Sequence, residues 1–198
     1  MNTLVQRPKT LVSRNSSRSS RRIVGGAVAL EPFPYRFERD GHRLAVRYLE
    51  PGDAERFQTF FRSLTPETVR CRYGHMIAEM TDESARQLVS VDPLTEPALA
   101  IVDADESAAI RAIGRYYFDP ETQSAEVAIV VAESFRRHGL ARLLLNTLTS
   151  LARSRGVKAL HAYVMTTDAP VLLLLKSAGF VPEGRSADGD LKLTLQLK

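Results

Sequence analysis

The sequence predicts a mixed α/β (α+β) fold, with helices packed on a central sheet, and three stretches carry that reading. The first is a hairpin signal: Asp40-Gly41 sits between the alternating segments Tyr35–Arg39 and His42–Arg47. Asp-Gly accepts the positive φ angles that a two-residue hairpin turn needs. The second is a series of β-rich segments between Ala98 and Val131, separated by short polar turns. The third is 125–151, where the β-branched run Val127 to Val131 gives way after Gly139 to an apolar period of about 3.6 residues. Strands and long helices in one short chain exclude an all-helical or an all-β class.

After the hairpin, Pro51-Gly52-Asp53 opens a helix whose inner face is Ala54, Phe57, Phe60, Phe61 and Leu64. Thr65-Pro66-Glu67 starts a second helix, with Thr as cap and Pro in the first turn. It carries Arg70, Cys71, Arg72 and Tyr73. A third follows Thr81-Asp82-Glu83, with Leu88 and Val91 facing inward. Strands are expected over 98–102 and 109–118 around the acidic turn Asp103 to Glu106, and then over 125–131. The helix beyond Gly139 places Leu140, Leu143, Leu144, Thr147, Leu148 and Leu151 on one stripe and stops at Arg155-Gly156. Val157 to Val164 reads as a strand, and Asp168-Ala169-Pro170 opens a helix that ends at Ala178-Gly179-Phe180. Leu191 to Leu197 alternates and closes the sheet.

Composition excludes several classes. The chain has 198 residues and is 44% hydrophobic, which suits one domain with a real core. Its single cysteine, Cys71, rules out an internal disulfide. The histidines His42, His75, His138 and His161 have no paired ligand spacing, so no metal is expected. With no apolar run of membrane-spanning length and no secretory signal, the expected location is cytoplasmic. The net charge of +4 is uneven. Residues 1–30 hold Arg7, Lys9, Arg14, Arg18, Arg21 and Arg22 and no acidic residue, so 31–198 carry 21 basic against 23 acidic side chains. Residues 1–33 are therefore expected to be a disordered basic Ser/Arg-rich tail, and 34–198 the folded domain. Such a tail also fits an organellar targeting peptide or a loose hold on RNA.

The chemistry concentrates around Arg136-Arg137-His138-Gly139-Leu140-Ala141, between a strand and a helix. Small residues at 139 and 141 permit close backbone approach, and free N–H groups at a helix start favour a diphosphate. Arg136 and Arg137 add mobile positive charge. An ordinary strand-to-helix connection would show the same spacing. On the preceding strand Glu126 is the only ionisable side chain. A carboxylate there, beside apolar walls, suits proton transfer.

Arg136 to Ala141 resembles the (Gln/Arg)-x-x-Gly-x-(Gly/Ala) signature of the GNAT superfamily of acyl-CoA-dependent N-acetyltransferases. The likeness covers about 40–198 and extends to Ala178-Gly179-Phe180. It implies a mostly antiparallel central sheet with flanking helices, and acetyl-CoA as cosubstrate with its pyrophosphate on the 136–141 turn. Leu44 to Asp53 (LAVRYLEPGD), Ser63 to Tyr73 (SLTPETVRCRY) and Ala125 to Val131 (AEVAIVV) are further similar to the bacterial protein lysine acetyltransferase group.

The resemblance implies Glu126 as general base. It assigns the cofactor to Ile129, Val130, Val131, Arg136, Arg137, His138, Gly139, Leu140 and Ala141. Asp168 stands where many members have an Asn, and a plain helix cap is its alternative role. Arg72 and Tyr73 match an Arg-aromatic pair at the acceptor entrance. Leu175 falls where many members carry a proton-donating Tyr, a role that leucine cannot fill. Glu96 is a weaker candidate base. The expected activity is transfer of acetyl to an amine, either a protein lysine or a small molecule, by direct attack in a ternary complex. The alternatives are a CoA-binding module without turnover and a nucleic-acid-associated protein acting through its tail.

Overall fold

The computed structural model describes residues 33–74, 76–165 and 167–197. The basic stretch 1–32 lies outside them, and the first described residue, Phe33, sets its ring edge-on to Tyr48 at 5.2 Å. Strands β1 (Tyr35–Arg39) and β2 (His42–Tyr48) form the hairpin, with Arg39 opposite His42. Asp40 and Gly41 take φ of 50° and 80°, the conformation the Asp-Gly pair favours. Helices α1 (Ala54–Arg62), α2 (Pro66–Tyr73) and α3 (Asp82–Val89) follow. Next come β3 (Ala98–Asp103), β4 (Ile110–Asp119), β5 (Ser124–Val131), α4 (Leu140–Ser154), β6 (Ala159–Val164), α5 (Ala169–Ser177), β7 (Val181–Arg185) and β8 (Leu191–Gln196).

The eight strands lie in the order β1-β2-β3-β4-β5-β6-β8-β7. Every neighbouring pair is antiparallel except β5 and β6, which run parallel. β7 is the element that sequence patterning leaves out. Its five residues, Val-Pro-Glu-Gly-Arg, are all exposed. Pro and Gly belong on a strand only at an edge or a bulge, and here the register shifts between Pro182 and Gly184. The C-terminal strand β8 therefore does not close the sheet. It lies inside, between β6 and β7.

Two cores sandwich the sheet. On one face α4 buries Leu140, Leu144, Leu145, Leu148 and Leu151, all at most 2% exposed, against β4 and β5. Gly114 lets α4 come this close: a Cβ there would lie 3.0 Å from Leu148 Cδ1 and 3.2 Å from Leu144 Cβ. Cutting Leu148 to Ala would cost about 2–5 kcal/mol by the usual core-truncation range. On the other face Phe57, Phe60 and Phe61 of α1, Val69 of α2 and Ala85 and Val89 of α3 cover Ala98, Ala100 and Ile113. Asp53 fixes the start of α1, accepting 2.6 and 2.7 Å bonds from the Arg47 guanidinium of β2. Burial works against its charge, but Arg47 and the Glu50 N–H outweigh this and hold the Asp53 carboxyl below its ordinary value.

Candidate functional site

β5 and β6 run side by side only at their starts. Their register joins Ser124 to Ala159, Ala125 to Leu160 and Glu126 to His161, and stops there. Beyond that point β6 continues on β8, and β5 continues on β4 as far as Val131. The sheet opens into a wedge with Glu126 and His161 at its apex. The Ala132 N–H donates to the Arg111 carbonyl on β4. Backbone groups alternate sides along an unbroken strand, so those of Ala128 and Val130 also turn to β4. The backbone groups of Val127 complete the pairing with β6, and those of Ile129 and Val131 turn into the wedge. They are edge groups that an extended amide-bearing chain can pair with as a neighbouring strand would. Val130 stands apart from Ile129 and Val131 in this respect.

The 136–141 turn follows the end of β5, beyond Ile129 and Val131 along the chain. A 3-10 turn over Glu133–Phe135 ends β5, and Arg136 returns to extended backbone. Arg137 and Gly139 then take φ of 66° and 75°. α4 starts at Leu140 with no side chain capping it. Its first N–H groups have no acceptor within the helix, and together with the helix dipole they favour an anion. A Cβ at Gly139 would meet only Arg39 Nη1, at 3.5 Å. Left-handed backbone, rather than crowding, is what requires glycine here.

The two arginines differ. Arg136 is not mobile: its Nη2 donates to Thr68 Oγ1 at 2.5 Å and to Glu133 Oε1 at 3.2 Å. Arg137 is exposed. His138 Nδ1 lies 2.5 Å from Asp40 Oδ2 at the hairpin tip. Leu140 buries its side chain in the core, which leaves its backbone N–H for the turn. Ala141 is partly buried beside it. Asp168 caps α5, its Oδ1 accepting the Val171 N–H at 3.3 Å. Burial, then Asp168 and Glu67, push the Cys71 thiol up, which places Asp168 near α2. Leu175 is 4% exposed within the core and offers no proton.

The opposite face of the wedge is polar. Tyr117, Glu126, His161 and Thr194 are successive register partners across β4, β5, β6 and β8. Gly114 faces α4, so Tyr117, three residues on, points to the α2 side, and its row follows. α2 brings Arg72 and Tyr73 to this row, with the Arg72 guanidinium 4.9 Å over the Tyr73 ring. Burial opposes the charge on Arg72, yet Tyr117, Tyr73 and Glu126 outweigh it and raise its pKa. Arg115, 2% exposed, donates to the Leu88 carbonyl at 3.1 Å. Burial alone would raise the Tyr117 phenol, but Arg115 and Arg72, both hydrogen-bonded to it, pull it below the ordinary tyrosine value. Burial, with Lys192, lowers His161 to about 4, against the pull of Glu183 and Asp119. Its imidazole is neutral at pH 7.

Glu126, Arg72 and Tyr73 therefore come together, and Ile129 and Val131 lie further along β5 toward the 136–141 turn. Sequence reasoning does not single out Tyr117, Arg115 or His161. Strand periodicity puts Arg115 and Tyr117 on one face, but only the register sets them beside Glu126.

The sequence profile described as Acetyltransferase (GNAT) family matches residues 59–180. An acetyltransferase of Pseudomonas aeruginosa is 27% identical over 143 residues, covering 72% of this chain and 77% of that protein. The GNAT domain of PAT from S. lividans superposes with a TM-score of 0.73 at 24% identity, over 80% of this chain and 93% of that one. A spermidine N-acetyltransferase from Vibrio cholerae, solved with CoA and spermine, does so with 0.64 at 17% identity, over 77% and 95%. With that profile spanning the wedge and its turn, the chain belongs to the GNAT acetyltransferase family and is an acetyl-CoA-dependent N-acetyltransferase.

Proposed function

We propose that Glu126 is the general base of this enzyme and that the acceptor amine approaches from the α2 face. The observation that carries this reading is the place of Glu126. It is the last β5 residue paired with β6, it stands at the apex of the wedge, and its side chain belongs to the polar row. Ile129 and Val131 would pair with the pantetheine arm. The N–H groups of the 136–141 turn, with Arg137, would hold the pyrophosphate. The cosubstrate supplies an acetyl thioester.

A free alkylamine is protonated at neutral pH and must lose a proton before it attacks. Glu126 takes that proton. The amine nitrogen bonds to the acetyl carbon, the carbon–sulfur bond breaks, and the sulfur keeps the electron pair. The nitrogen, positively charged once it has bonded to carbon, gives up a second proton through water, and with leucine at 175 the thiolate takes one from water. An N–H directed into the wedge is the donor placed to meet the developing oxyanion. The favoured acceptor is a protein lysine side chain, supported by the likeness of the 44–53, 63–73 and 125–131 stretches to the lysine acetyltransferase group. A small-molecule amine is the second acceptor class.

The test measures free thiol release from acetyl-CoA across lysine peptides, peptide N-termini and polyamines, with Glu126→Gln alongside. Release with one class and its loss in Glu126→Gln support the reading. Intact acetyl-CoA binding with no release from any amine would favour a CoA-binding module without turnover, the reading to which buried Leu175 lends weight.

A further inference from the structure

Arg72 and Tyr117 form a second layer behind the apex of the wedge. Arg72 comes from α2, Tyr117 from β4, and Tyr117 is the direct cross-strand partner of Glu126. Cross-strand partners on one face hold their Cβ atoms about 4.5–5.5 Å apart, so the two side chains rise from adjacent positions of the row. The Arg72 guanidinium hydrogen-bonds Tyr117 and interacts with the Glu126 charge. Arg115 holds the phenol from its other side and is itself tied to the Leu88 carbonyl of α3.

We propose that Tyr117 is a positioning residue, fixing the Arg72 guanidinium beside Glu126 so that the carboxylate stays ionised and ready to accept a proton when an acceptor displaces water from the row. The proposal rests on Glu126 being the base. Arg72, on this account, acts on the base rather than on the acceptor.

The physical need is plain. A carboxylate losing water to an incoming amine tends to pick up a proton, and a fixed cation beside it opposes that change. A guanidinium on a long flexible stem acts in this way only when something holds it in place. Stacking on Tyr73 and the bond to Tyr117 hold this one from two sides. The other charged and titratable groups along this row are Arg115 and Asp119 on β4, His161 on β6, Lys192 on β8, which is paired with Glu183 of β7 at 3.1 Å, and Glu96 in the turn before β3. The register of β3 on β4 sets Glu96 opposite Tyr117. His161 is neutral at pH 7, and Arg115 is already bound to Leu88 and Tyr117. Arg72 is therefore the cation available to Glu126.

The experiment is a pH profile of kcat at saturating acetyl-CoA and acceptor for wild type, Tyr117→Phe, Arg72→Gln, Arg72→Lys and Glu126→Gln. Phenylalanine keeps the ring and removes only the hydroxyl. In Arg72→Gln the acid limb moves up by about one pH unit, so at any pH well below the wild-type midpoint the rate falls about tenfold while the plateau at high pH is kept. Tyr117→Phe moves it the same way by about half as much. Arg72→Lys keeps the charge and restores most of the limb, although lysine lacks the planar fork. The acetyl-CoA dissociation constant stays within about twofold in all of them.

Limbs that superimpose on wild type in both Arg72→Gln and Tyr117→Phe overturn the proposal. So does an equal loss of rate at every pH, since that is the mark of a merely structural role. Should Arg72→Gln fail to fold, Tyr117→Phe decides alone. Glu126→Gln separates this inference from the one beneath it. If the wild-type acid limb persists without Glu126, the assignment of the base has failed. If it vanishes there but does not move in the Arg72 and Tyr117 variants, only the positioning role has failed.

Discussion

Thr68 donates a 2.6 Å hydrogen bond to the Glu133 carboxylate, joining α2 to the turn after β5. The same oxygen accepts from the Thr65 N–H and hydroxyl and from Arg136. One carboxylate thus ties the helix that carries Arg72 to the turn that leads from β5 into α4. Burial works against the charge of Glu133, but the Thr68 and Thr65 bonds prevail and hold its pKa below the ordinary value. A lowered folded-state pKa stabilises above the unfolded value and is lost as pH falls through the folded one. Glu133→Gln should therefore cost about 1–2 kcal/mol at pH 7, the scale of a charged hydrogen bond left unmade. The cost should shrink as pH falls below 4. Urea unfolding at pH 7 and pH 3 checks both. An equal cost at the two pH values would mean that the charge of Glu133 contributes nothing.

Gly139 tests the anion site. Acetyl-CoA should raise the melting temperature of wild type, because a ligand selective for the folded state stabilises it by mass action. At φ 75° a β-branched residue is strained, by roughly 1–2 kcal/mol. Gly139→Val should melt lower than wild type and show no acetyl-CoA shift. Gly139→Ala should keep part of it. A full shift in Gly139→Val would place the phosphates elsewhere.

The hairpin, the α4 stripe, the Thr65 cap and the helix starts after Thr81 and at Asp168 were legible in the sequence because each rests on local chemistry. Thr65 and Thr81 do accept the N–H groups of Thr68 and Ser84. β7 was not legible, since its place at the edge comes from β8 pairing with β6 first and not from its own residues. The site divides in the same way. Gly139 and Glu126 stand out by type and spacing within one segment. Tyr117 and His161 acquire meaning only when the register puts them on either side of Glu126. Arg136 looks like a free cation in sequence, but it pairs with Glu133 three residues before it and, through the fold, with Thr68 on α2, 68 residues away. Long-range pairing was the missing information in each case.

His161 should set part of the acid stability. Its folded pKa is about 4, lowered first by burial and then by Lys192, against an ordinary 6.5. The unfolded chain binds the extra proton between these values, so stability falls as pH drops from 6.5 to 4 and levels off below that. The neutral variant His161→Gln removes this dependence. Melting curves across pH 4–7 should be flatter for the variant than for wild type. Parallel curves would assign the slope to other groups.

Glu126→Gln keeps the shape and hydrogen-bonding size of the side chain but cannot accept a proton. Positioned acid–base groups contribute roughly 10²–10⁴-fold, and turnover at pH 7 should fall by about that factor. Acetyl-CoA affinity should hardly change, because the wedge groups of Ile129 and Val131 and the 136–141 turn belong to the backbone. Raising the pH should recover part of the lost rate, since more of the acceptor amine is then already neutral. Single-turnover acetyl transfer at pH 7 and pH 9 measures this without product release. A Glu126→Gln enzyme with near-wild-type single-turnover rate at pH 7 would remove Glu126 from the mechanism. Glu96, set opposite Tyr117 by the extended β3–β4 register, would then be the next carboxylate to replace.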